Sequence, residues 1–69
     1  MRIVYINGYC FQRVTGRLII SKYNDENKTF VKIQEITSGS VPKIMKNVFN
    51  NFSMRAVELY LVNGGHVRV

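Results

Sequence analysis

Ile6-Asn7-Gly8-Tyr9-Cys10-Phe11-Gln12-Arg13-Val14-Thr15-Gly16-Arg17 holds two turn signals with one strand-like run between them. Asn-Gly is the strongest short hairpin signal, because a type I′ turn needs positive φ at both central positions. Thr15-Gly16 is a second, weaker two-residue turn. Working outward, Arg2 to Ile6, Tyr9 to Val14, Arg17 to Tyr23 and Lys28 to Ile36 are rich in β-branched and aromatic residues, as strands are. The polar run Asn24-Asp25-Glu26-Asn27 separates the last two. The first half of the chain therefore predicts a four-stranded antiparallel meander.

Thr37-Ser38-Gly39-Ser40 breaks that pattern. Val41, Ile44, Met45, Val48, Phe49 and Phe52 follow at the spacing of an amphipathic helix of about three turns. Ser40 is placed to cap it, and Pro42 is tolerated in a first turn. Asn50, Asn51 and Ser53 mark its end. Arg55 to Val62 alternates, with Val57, Leu59 and Leu61 on one side, and reads as another strand. Asn63-Gly64-Gly65 then turns the chain into a short last strand, His66 to Val69. The expected fold class is α+β: a four-stranded meander, one amphipathic helix on one sheet face, and a C-terminal β-hairpin beside the first or fourth strand.

The turns set a trial register. Ile6 opposes Tyr9, so Val4 opposes Phe11 and Tyr5 opposes Cys10. Val14 opposes Arg17, so Phe11 opposes Ile20. A loop at 24 to 27 sets Tyr23 against Lys28 and Ile20 against Val31. One face then carries Val4, Phe11, Ile20 and Val31, with Leu18 and Ile33 beside them, and is assigned to the helix. The other carries Tyr5, Cys10, Ser21 and Phe30, then Ile3, Gln12, Ile19 and Lys32, then Val14, Arg17 and Gln34. That second face mixes aromatic, aliphatic, amide and basic groups and holds no carboxylate. One helix covers one face, so this second face is expected to meet a partner. A bulge in any strand would move residues between the faces.

Composition narrows the partner. The chain has 69 residues, and its ten Lys and Arg against four Asp and Glu leave a net charge of +6. That length fits one small domain spanning residues 1–69, of marginal stability unless helped by oligomerisation or an unusually well-used core. Cys10 is the only cysteine and His66 the only histidine, so an internal disulfide and a zinc site of soft ligands are excluded in a monomer. No run approaches a membrane span, and Met1 to Gly8 is too short and too polar-flanked for a signal peptide. The expected setting is cytoplasmic, with no membrane partner. Seven asparagines and many Ile, Lys and Val suit an AT-rich source such as a phage or mobile element, and if the chain is phage-encoded the setting is the host cytoplasm.

No catalytic constellation, metal signature or family motif stands out, and no cofactor is expected. Cys10 and His66 lack a third orienting group and an oxyanion site. Asp25 and Glu26 are adjacent in a loop, and Glu35 and Glu58 are isolated on strands, so no acid–base pair forms. Asn63-Gly64-Gly65 lacks the lysine and helix of a phosphate-binding loop.

The leading expectation is a non-catalytic basic binding protein. It engages nucleic acid, or a nucleic-acid-handling complex, through Tyr5, Arg13, Arg17, Phe30 and Lys32. Rings stack on bases while cations track phosphates. Lys43 and Lys46, with Asn47 and Asn50, give the helix a secondary basic face, which reads first as a solvated helix surface. Two other classes fit the same residues. One is a phage-type protein inhibitor of a host enzyme or immune complex, an anti-CRISPR-like role. The other is a homo-oligomeric subunit, with a homodimer burying Tyr5.

Overall fold

The protein is described over residues 2–63 by a computed structural model. Among these residues the chain forms four strands, β1 (Arg2–Ile6), β2 (Tyr9–Val14), β3 (Arg17–Asn24) and β4 (Thr29–Thr37), then two short 3-10 turns and two helices, α1 (Lys46–Asn50) and α2 (Met54–Val62). The strands form one antiparallel sheet in the order β1-β2-β3-β4. The class is α+β.

The first two hairpins have the registers that their turns predict. Val4 pairs with Phe11, Tyr5 with Cys10 and Ile6 with Tyr9; Phe11 pairs with Ile20 and Val14 with Arg17. Asn7 (φ 51°) and Gly8 (φ 79°) both take positive φ, as a type I′ turn requires. Asn24 ends β3 with its side-chain oxygen accepting hydrogen bonds from the backbone N–H of Glu26 (2.8 Å) and Asn27 (3.2 Å). An asparagine that folds its own turn in this way starts the loop one residue later than the polar run suggests. Tyr23 therefore meets Phe30 rather than Lys28.

β4 contains the larger departure. Ser21 pairs with Lys32 but Ile20 pairs with Gln34, so Ile33 is the extra residue of a β-bulge. The bulge reverses every side chain that follows it. In an unbulged strand Ile36 would face away from the helices and Glu35 would point beneath them. With the bulge Ile36 is buried opposite Leu18, and Glu35 stands on the open face opposite Ile19. Gln34 moves to the helix side. Val31, expected in the core row, instead pairs with Lys22 and is 42% exposed.

The helical layer also differs from the expected single helix. Ser40 caps nothing, because the residue before a proline is held extended: Val41 has φ −82° and ψ 117°. The helical turn begins at Lys43, after Pro42, and runs through a 3-10 turn (Lys43–Met45) into α1. Met45, Val48, Phe49 and Phe52 of the expected stripe are buried, but Ile44 is 57% exposed.

Residues 55 to 62, expected as a strand, lie in α2. Ser53 caps this helix, its hydroxyl oxygen accepting a hydrogen bond from the Ala56 N–H at 3.1 Å. The apolar residues Ala56, Val57, Tyr60 and Leu61 recur at spacings of 1, 3 and 1, which places them on one helical face. The first three are buried, while Leu59 is 39% exposed. The expected last strand, His66 to Val69, lies outside the described residues.

α1 and α2 both pack on the same sheet face. Val4, Phe11, Leu18, Ile20 and Ile36 from the sheet meet Met45, Val48, Phe49, Phe52, Val57 and Tyr60 from the helical layer in one core. Arg13 fastens the two layers at the Thr15-Gly16 end. Its Nε donates to the Phe49 carbonyl at 2.7 Å and its guanidinium lies 3.9 Å from the centre of the Phe49 ring. Its Nη1 donates to the Val14 and Arg17 carbonyls.

Candidate nucleic-acid interface

Because both helices share one side of the sheet, the other side carries no described element. From one end to the other, its cross-strand rows are Tyr23–Phe30, then Tyr5–Cys10–Ser21–Lys32, then Ile3–Gln12–Ile19–Glu35, then Val14–Arg17–Thr37. Strand pairing fixes these rows, since directly opposed residues share a face.

The Asn7-Gly8 end is aromatic. The Phe30 ring lies 5.5 Å from that of Tyr5 and 5.3 Å from that of Tyr23, the second pair edge to face. These three side chains come from β4, β1 and β3, yet they touch. The two residues between them, Cys10 and Ser21, are small and buried, which lets the rings lean together. The rings themselves stay accessible: Tyr5 is 59% exposed, Tyr23 41% and Phe30 38%. A shallow depression lined by Tyr5, Asn7, Gly8, Tyr9, Tyr23 and Phe30 opens at this end. Burial pushes the Cys10 thiol above its ordinary pKa against an opposing hydrogen bond with Tyr5, so the thiolate that nucleophilic chemistry needs is disfavoured.

The other end is ionic. Lys32 Nζ donates to Glu35 Oε1 at 2.9 Å, and Arg17 Nη1 donates to Glu35 Oε2 at 3.4 Å. The face thus does hold a carboxylate, contrary to the sequence expectation, and the bulge at Ile33 puts it there. The hydrogen bond and charge of Lys32, with Arg17 contributing less, hold the Glu35 carboxyl below the usual glutamate range. Its ion pairs persist above that lowered pKa and are lost as pH falls through it. Replacing Lys32 by alanine is therefore expected to return the Glu35 titration toward the ordinary range, read from the side-chain carboxyl carbon by NMR. An unmoved titration would show that Lys32 does not hold the carboxylate in solution.

Of the expected site residues, the structure brings together Tyr5, Phe30, Lys32 and Arg17 on this face. It does not bring Arg13, which pairs with Leu18 on the helix side and spends its guanidinium on the Phe49, Val14 and Arg17 carbonyls. Lys43 and Lys46 are exposed in the helical layer, remote in the fold from the aromatic cluster. Tyr23 and Glu35 also stand on this face and are not among the site residues expected from the sequence. Tyr23 had a usable signal: two residues beyond Ser21 on one strand, it shares that residue's face by simple alternation. Glu35 depends on the bulge.

Among the described residues, no three His, Cys, Asp or Glu side chains come together as metal binding requires, and no helix is long and apolar enough to cross a membrane. No family model, curated protein or solved structure matches the chain.

Proposed function

We propose that the protein is a non-catalytic binding module that takes up single-stranded nucleic acid on the open face of its sheet, in the cytoplasm of the cell or phage host that makes it. The observation that carries this reading is the exposed Tyr5–Phe30–Tyr23 cluster with Lys32 in the adjoining row. Flat rings from three strands offer a surface on which unpaired bases stack whatever their sequence. Lys32 lies two residues along β4 from Phe30, about 7 Å away, within reach of a phosphate joining stacked bases. A net charge of +6 favours encounter with a polyanion.

The test is fluorescence anisotropy with labelled single-stranded DNA, duplex DNA and RNA at two salt concentrations. Single strands are expected to bind more tightly than duplex, with an affinity that falls as salt rises by about 0.7 log units per log unit of salt for each phosphate neutralised. Absence of binding at low salt would remove this reading despite the charge.

One feature favours a second reading, a protein inhibitor that docks by this face onto a host enzyme or complex. Ile3, Tyr5, Tyr23 and Phe30 are exposed together, and Glu35 offsets part of the neighbouring positive charge. Such a patch suits an apolar protein interface rimmed by polar groups. That interface would be nearly indifferent to salt, so the same titration, followed by a pull-down, separates the two.

A further inference from the structure

Among the described residues, the open sheet face presents two basic side chains from its strands, Lys32 and Arg17, and both are already engaged. Each oxygen of the Glu35 carboxylate takes one of them, at 2.9 and 3.4 Å. The cations remain accessible, with side-chain exposures of 59% and 52%, while the carboxylate between them is more sheltered at 28%. The other strand cations stand on the helix side. Arg13 is held by carbonyls and Phe49, Arg2 lies toward Phe52, and Lys22 lies toward Tyr9. The positive charge that these two side chains bring to the open face is therefore halved. The arrangement is specific to the bulge at Ile33, since without it Glu35 would be on the other face.

We infer that Glu35 is a built-in counter-charge that makes the face select strands with stackable bases over bare polyanions. This rests on the reading of the face as a single-strand-binding surface. A phosphate approaching Lys32 or Arg17 must compete with Glu35 for each of them. These are solvent-exposed pairs, individually weak, so a phosphate displaces them when something else holds the strand in place. Stacking on Tyr5, Phe30 and Tyr23 supplies that hold for a strand with unpaired bases. A chain of phosphates without bases, or a duplex whose bases are already stacked, has no such support and meets a face of halved positive charge. A strand with bases also binds by stacking alone, without displacing Glu35, so Glu35 lowers its affinity by a smaller factor than that of an anion which can hold only the two cations.

The experiment compares wild-type protein with Glu35→Gln against two labelled probes of equal length, an oligothymidylate and an abasic deoxyribose-phosphate strand, at two salt concentrations. Glutamine keeps the size and polarity of the side chain and removes its charge. Glu35→Gln is expected to bind both probes more tightly, the oligothymidylate by about fivefold. The gain is expected to be larger for the abasic strand, so the preference for bases shrinks. The salt slope should steepen by up to about 1.4, the release of two further phosphate contacts. Adding Lys32→Ala to Glu35→Gln should remove most of the gain. If wild type binds oligothymidylate and Glu35→Gln changes neither the ratio nor the slope, the counter-charge is refuted while the binding surface stands. If neither protein binds oligothymidylate, the binding surface itself is refuted and the counter-charge with it.

Discussion

Phe11→Ala is expected to remove a third or more of the protein's stability at 25 °C. Phe11 is fully buried on β2, between Val4 and Ile20 in the central row of the sheet and beneath the helical layer. Truncating a buried phenylalanine to alanine costs about 3–5 kcal/mol, the transfer of the ring plus the cavity left behind. A chain of this length has about 3–10 kcal/mol of total stability. The loss is thus the whole of it at the lower end of that range and about a third to a half at the upper. Urea unfolding followed by circular dichroism measures it directly. Leu59→Ala is the informative companion. The strand expected over residues 55 to 62 puts Leu59 on the same side as Val57, but α2 turns Val57 fully inward and leaves Leu59 exposed. Leu59→Ala is accordingly expected to shift stability by only about 0.5 kcal/mol. A wild-type midpoint for Phe11→Ala, or a core-sized loss for Leu59→Ala, would contradict the packing described.

Phe30→Ala is expected to weaken binding of single-stranded DNA by about 5- to 150-fold while the fold survives. Phe30 is the middle ring of the cluster, in contact with both Tyr5 and Tyr23, so its removal separates the other two. Stacking of one base on an aromatic side chain is worth about 1–3 kcal/mol, which sets that range. The ring is outside the core, and its aromatic contacts contribute about 0.5–1.5 kcal/mol each to stability, less than the core phenylalanine. Phe30→Trp keeps a flat ring and should retain binding. Anisotropy gives the affinity, and circular dichroism of the same samples shows whether the fold is kept. Undiminished affinity in a folded Phe30→Ala protein would move the binding surface elsewhere, with the exposed Lys43 and Lys46 of the helical layer the next residues to test.

The relation between sequence and structure is different for each segment. From Arg2 to Tyr23 the sequence signals are local and sufficient. Two-residue turns leave no freedom in pairing, so Asn7-Gly8 and Thr15-Gly16 carried the registers of β1 to β3 and hence the row Val4, Phe11, Ile20. Once those rows were set, Tyr5 had to share a face with Cys10 and Ser21. Phe30 and Lys32 also fell on the expected face. The loop displaces their pairing by two residues, and a shift of two preserves which side a strand residue points to. The stripe Met45, Val48, Phe49 and Phe52 was legible because no strand pattern competes with its spacing.

Two features were decided only by tertiary structure. Residues 55 to 62 contain two apolar patterns at once, Val57, Leu59 and Leu61 in alternation and Ala56, Val57, Tyr60 and Leu61 at helical spacing. Eight residues are too few for periodicity alone to choose between them. The choice follows from the cap at Ser53 and from the space beside α1 and over the sheet, which Val57 and Tyr60 fill. The bulge in β4 is likewise silent in the local sequence. It exists because Ile36 gains burial against Leu18, and Glu35 gains Arg17 and Lys32, only if one residue is passed over between Ser21 and Ile20. That compromise between two distant parts of one strand places the carboxylate among the cations of the open face.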